Sequence, residues 1–199
     1  MPNRSNTITT NNKPASAQVV SHTTIKFEDL WSSYPSGSIK HSDSKTGKDV
    51  FDDHCAINVS QSLYNCGILL KSFKGTKCWA CPSKDSSGKG IHAIRAQELS
   101  TYLSTRPFAG CPAPQRFTGA TYEAAVKGKT GIIFFKDYWQ RQGENGRTGD
   151  HIDLWRESKL ASIGGALTFI RQTFPSISEN YLDMSDLRRA SEVLFWEIA

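Results

Sequence analysis

The apolar residues of this sequence change their period near residue 130, and that change limits the folds open to it. From Asp53 to about Leu70 the spacing is helical. Ala56, Val59, Leu63 and Cys66 step by three or four and make one stripe. From Gly131 to Phe135 the run Gly-Ile-Ile-Phe-Phe is β-branched and aromatic, the mark of a buried strand. His151 to Trp155 reads as a second strand and Val193 to Trp196 as a last one. Shorter helices are predicted at Phe27–Trp31, Ile94–Leu103, Thr121–Val126 and Leu167–Phe174, each stopped by a nearby Pro or Gly. Helices dominate the first part and strands the second, which predicts an α+β fold.

Met1 to about Ser21 is polar and carries few large apolar residues. Residues 1–22 are therefore read as a flexible tail and 23–199 as one domain, since 199 residues suffice for a single core. The apolar fraction of 38% argues against a disordered chain. No apolar run approaches about 18 residues, so no membrane insertion is expected. Met1 to Asn12 has no apolar centre and does not read as a secretory signal. The net charge of +5 suits an anionic partner, or serves solubility alone. No basic run is interleaved with aromatics, and no nucleic-acid motif is present, so nucleic acid is not expected as a partner.

The stretch Asp52-Asp53-His54-Cys55-Ala56-Ile57-Asn58-Val59-Ser60 carries the sharpest chemical signal. Asp52 and Asp53 stand where an N-cap is expected, which puts Cys55 in the first turn of the helix. Unpaired backbone N–H groups and the helix dipole favour an anion there, the setting in which a thiolate becomes a usable nucleophile. A small buried core cysteine is the plain alternative.

A cysteine nucleophile needs a base. His22 lies near the tail, His41 in a polar loop and His92 at a loop end. His54 adjoins Cys55, but helix neighbours face different ways. His151 alone sits inside an apolar strand, in Gly149-Asp150-His151-Ile152-Asp153-Leu154-Trp155. Residues two apart on a strand share a face, so His151, Asp153 and Trp155 are expected to point one way and Ile152 and Leu154 the other. A helix-borne cysteine followed by a strand-borne histidine is the papain-type order.

Five cysteines leave at least one unpaired in any intramolecular disulfide scheme. Cys78-Trp79-Ala80-Cys81 lies in Gly75–Gly90, a Lys/Ser/Gly-rich stretch that reads as an exposed loop. Three readings are open. One is half a zinc site, with His92 and Cys111 as further ligands. Another is a disulfide, for instance of Cys78 or Cys81 with Cys111, among pairings that also include Cys66. The third is free thiols. A structural zinc site needs firmer paired spacing than this, and the disulfide is the expectation for an exported protein.

Cys55-Ala56-Ile57 before an amphipathic helix, Ala96-Gln97-Glu98-Leu99, the His151 heptad and the ending Val193-Leu194-Phe195-Trp196-Glu197-Ile198 together resemble the type VI secretion amidase effector family 4. The resemblance runs from about Lys26 to Ile198. It implies an antibacterial toxin with an NlpC/P60-like, papain-type core, in which a catalytic Cys at a helix N-terminus packs on an antiparallel sheet carrying the His. It implies injection by a secretion apparatus into the periplasm of a rival Gram-negative cell. The reaction it implies is cleavage of the γ-D-glutamyl–meso-diaminopimelate bond of peptidoglycan stem peptides. Cys55 would be the nucleophile and His151 the general base, with no cofactor and no metal, and a cognate immunity protein would occlude the site.

Two positions depart from the family pattern. Asn58 stands where the family usually has Arg, a difference expected to lie at the surface. Ser162 stands where the family commonly carries an Asp, eleven residues after the catalytic His. Asp153 is therefore expected to orient His151, with Ser162 as the competing third residue. Two other functions remain open: acyl transfer or deamidation on the same core, and a non-catalytic basic binding module with an inert cysteine.

Overall fold

A computed structural model describes residues 5–9, 17–21, 24–37, 39–43, 45–140, 145–162 and 187–199. Its centre is a five-stranded antiparallel sheet with helices packed on it. In chain order the elements are β1 (Ser5–Thr9), β2 (Ala17–Ser21), α1 (Phe27–Ser32), α2 (Cys55–Asn65), α3 (Ala96–Ser104), β3 (Gln115–Phe117), α4 (Tyr122–Val126), β4 (Thr130–Trp139), β5 (Gly149–Arg156), β6 (Lys159–Leu160) and β7 (Glu192–Glu197). A 3-10 turn spans Leu187–Arg189. β1 and β2 pair with each other, inside the segment read as a tail, and form a sheet of their own. The helix expected at Leu167–Phe174 lies outside the described residues.

The large sheet runs β3-β7-β4-β5-β6 with every neighbour antiparallel. The apolar run of β4 is central because β5 and β7 cover its two edges, and it buries both faces. Ile132 and Phe134 join one core with Ile152, Leu154, Leu194 and Trp196, under Ala56, Val59 and Leu63 of α2 and Leu99 and Leu103 of α3. Ile133 and Phe135 join a second core with Trp155, Val193 and Phe195, covered by Tyr122 and Val126 of α4 and by Leu187. The expected opposition of Ile152 and Leu154 to Trp155 is observed. Each Leu, Ile, Val or Phe buried this way contributes about 1.5–3 kcal/mol.

Helix α2 starts later than its sequence suggests. The N-cap is His54, and neither Asp52 nor Asp53 caps it. The reason is upstream: Asp49 Oδ1 accepts from the backbone N–H of Phe51, and Asp49 Oδ2 lies 2.9 Å from His54 Nε2, so a tight turn occupies the residues before Cys55. The helix also ends at Asn65 and not near Leu70. Gly67, at φ +80°, closes it: its N–H donates to Tyr64 O and the next, Ile68 N–H, donates to Leu63 O, both at 2.9 Å. α1 is tied to β5 by Arg156, whose guanidinium sits 4.3 Å over the Trp31 ring and pairs with Glu28 at 2.5 Å. Strand β3, which no sequence pattern announces, forms because Gln115–Phe117 pair with the edge of β7.

Candidate active site

Cys55 is the first residue of α2, and its side chain is half-buried against the first core. The first intrahelical bond is Asn58 N–H to His54 O at 2.8 Å, so the backbone donors before it are free of helical partners. His151 enters from β5, opposite Phe135 of β4, with Tyr138 at its ring edge. The Cys55 thiol faces the His151 imidazole closely enough to help raise its pKa. His151 Nε2 lies 3.4 Å from Asp153 Oδ2.

Asp153 is wholly buried, and donors meet both of its carboxyl oxygens. Its Oδ1 accepts from the Leu154 N–H at 2.8 Å. Its Oδ2 accepts from the Ser162 N–H at 3.1 Å and from the Ser162 hydroxyl. Ser162 therefore meets the carboxylate, and the carboxylate meets the ring. Only 14% of the His151 side chain is exposed. Burial by itself would lower its pKa, but the hydrogen bonds to Asp153 and Cys55 outweigh burial and hold it well above 6.5. The imidazolium is the favoured form at neutral pH.

The structure thus brings all four sequence-derived site residues, Cys55, His151, Asp153 and Ser162, into one chain of contacts. Two neighbours escaped the sequence reading. Asn58, expected at the surface, is 5% exposed: it follows Cys55 by three residues and so lies on the buried side of α2. Tyr34, just past α1, brings its buried hydroxyl beside Asp153 and Asn58 without a hydrogen bond to either. Burial and then the Asp153 charge raise the Tyr34 pKa, so the phenol stays neutral and remains a donor. No spacing rule flags either residue, because both reach the site through packing. A cleft of ≈ 1010 Å³ between Phe73, Trp79, Lys84 and Ile91 excludes Cys55 and His151.

The other histidines separate from it. His54 pairs with Asp49 at 2.9 Å, His41 and His92 lie together elsewhere, and His22 is outside the described residues.

The profile of type VI secretion system (T6SS) amidase effector protein 4, Tae4, matches residues 51–196. The chain belongs to the Tae4 family. It is accordingly a T6SS amidase effector by family. The match takes in Cys55, His151, Asp153 and Ser162 together. The fold agrees with solved Tae4 structures. The Tae4 of Enterobacter cloacae superposes with a TM-score of 0.57 at 18% identity, covering 90% of this chain and 100% of that one. The Tae4/Tai4 effector–immunity system of Salmonella typhimurium gives 0.55 at 16%, covering 89% and 100%. None of the curated protein sequences matches this chain. Among the described residues no helix is long and apolar enough to cross a membrane.

Proposed function

We propose that this protein is a cysteine amidase that hydrolyses the γ-D-glutamyl–meso-diaminopimelate bond of peptidoglycan stem peptides on a papain-like, NlpC/P60-type core. The observation that carries the reading is the Cys55–His151–Asp153 chain at the start of α2, in a member of an amidase effector family. With His151 already holding the proton of the pair, the Cys55 sulfur attacks the γ-carbonyl carbon. Backbone N–H groups at the helix start, that of Cys55 among them, donate to the oxyanion. The His151 imidazolium gives its proton to the departing diaminopimelate amine, and a thioester remains on Cys55. His151 then takes a proton from water, the hydroxide attacks the thioester, and the γ-D-glutamate carboxylate leaves with the thiol restored. Asp153 orients the ring and favours the imidazolium that later protonates the leaving amine. Ser162 holds Asp153.

The same reading makes the protein an antibacterial toxin injected by the secretion apparatus into the periplasm of a target cell. A cognate immunity protein that covers the site is its partner. The Salmonella relative, solved as an effector–immunity system, supports that partner class.

Digestion of purified Gram-negative peptidoglycan, read by mass spectrometry, tests the reaction. Wild type is expected to release muropeptides ending at γ-D-glutamate, and Cys55→Ala none. Products in which an added amine carries the acyl group would instead make it a transferase. An untouched wall with folded wild type would remove the amidase reading.

A further inference from the structure

Far along α2 from Cys55, a second group of side chains converges. We propose that His41, Cys78, Cys81 and His92 bind one structural zinc ion. All four residues are buried, at 1%, 1%, 2% and 3% exposure, and their ligand atoms lie within 4.8 Å of one another. His92 Nδ1 is 3.1 Å from His41 Nε2 and 2.9 Å from Cys81 Sγ, and Cys81 Sγ is 3.4 Å from His41 Nε2. A tetrahedron built on ordinary Zn–N and Zn–S bonds has edges of about 3.3–3.8 Å. Shifts of a few tenths of an ångström would open the His41, Cys81 and His92 atoms to those edges, and a shift of at most about 1 Å would bring Cys78 Sγ in.

The lone pairs point the right way. Gln61 donates its amide N–H to Asn65 Oδ1 at 2.6 Å, so its Oε1 is the acceptor toward His92 Nε2, also at 2.6 Å. The His92 proton then sits on Nε2, and Nδ1 faces the cluster with a free lone pair. A carbonyl oxygen behind the ring is the usual support for a metal-bound histidine. Charge balances as well. Zinc displaces one proton from each thiol, and two thiolates and two neutral imidazoles around Zn²⁺ give a neutral centre, the form a buried site tolerates. Two sulfurs and two nitrogens in a tetrahedron are a donor set that selects zinc.

The backbone is shaped for the same purpose. Cys78 N–H donates to His92 O at 2.9 Å, and Lys77 bridges to Ala93 and Lys84 to Gly90, so Cys78-x-x-Cys81 forms the knuckle of a small hairpin that returns at His92. A Cβ at Gly90 would come within 2.0 Å of Cys78 O, so only glycine lets the return strand lie this close. The expected disulfide between this pair and Cys111 is not formed. All five cysteines are free, and Cys111 lies in the first core with its thiol toward Leu103 O. His41, from a polar loop, stands where Cys111 was expected in the zinc alternative.

The proposed ion braces the nucleophile helix. Gln61 and Ser60 of α2 hold His92 and the Ala93 N–H, while Asp49 links the His41 N–H to His54, the residue before Cys55.

Metal analysis of the full chain tests this, in a Cys55→Ala background so that the catalytic thiol cannot contribute. Protein refolded with zinc and desalted is expected to hold about one zinc per chain. Cys78→Ser and His41→Ala should lose it, and Cys66→Ser and Cys111→Ser should keep it. Should those variants fail to fold, cobalt loaded into the otherwise unaltered chain decides: intense tetrahedral visible bands with a thiolate charge-transfer band are expected. Chelation should lower Tm by roughly 10 °C, reversed by zinc and not by magnesium. Less than about a tenth of an equivalent of zinc after refolding, with weak octahedral cobalt bands, overturns the proposal. A Cys78–Cys81 disulfide in protein isolated from the oxidising compartment, unchanged by added zinc, also overturns it.

Discussion

At the residue scale, one carboxylate carries the electrostatics of the candidate site. Asp153 accepts from Leu154, Ser162 and His151 while fully buried, so its removal leaves donors without an acceptor. Cys55→Ala is expected to lower kcat by roughly 10⁴-fold or more, since nothing else supplies the nucleophile. Asp153→Asn should cost roughly 10²–10⁴-fold in kcat/KM, because the ring loses the partner that fixes its tautomer. The pH profile gives a sharper check. The His151 pKa is raised in the fold, so activity that needs the imidazolium persists above pH 6.5 and is lost as pH rises through the folded-state value. Asp153→Asn removes the foremost raising contact, and the alkaline limb should move to lower pH. Ser162→Ala breaks a bond to Asp153 and not to the ring. It should cost roughly ten- to a hundredfold and shift the limb in the same direction by less. An unchanged limb in both variants would separate Asp153 from the reaction.

At the element scale, the sheet depends on close approach at Gly131. A Cβ there would lie 2.1 Å from Trp196 O on the neighbouring β7, and backbone cannot swing aside as a side chain can. Gly131→Ala should therefore destabilise by about 1–3 kcal/mol, read as a fall in Tm of roughly 2–10 °C in a thermal melt. The strand run Gly131 to Phe135 was legible because its residue types and its double burial coincide. The helix of Cys55 was legible by its stripe, but its ends were not. Asp49 and Gly67 set them, the one through a turn upstream and the other through a left-handed closure. β3 was illegible because three residues acquire strand geometry only from β7 beside them.

At the scale of the whole molecule, acid should unfold the protein through its supported carboxylates. Burial opposes ionisation of Glu98, but donors from Thr76 and Arg95 outweigh it and lower its pKa. Glu197 is lowered chiefly by Gln115 and then, against burial, by Lys129. Both contribute stability that is present above the unfolded value, near 4.5, and lost as pH falls through the folded one. The steepest fall in Tm should come below about pH 4, as a melt series would record.

The α+β class and the family could be read from the chain, and so could four residues that the structure brings together. Each is written in local pattern: apolar period, residue type, and motifs a few residues long. Partnership could not be read. That Asn58 is buried and that Tyr34 reaches Asp153 depend on segments far apart in the sequence. The Cys78-x-x-Cys81 pair shows the same division most plainly. Its spacing was visible, but its neighbours were not, because His41 and His92 lie 40 and 11 residues from Cys81 and meet it only when the loop closes on α2. Spacing is a property of one segment. A site that four segments build exists only after the core has brought them together.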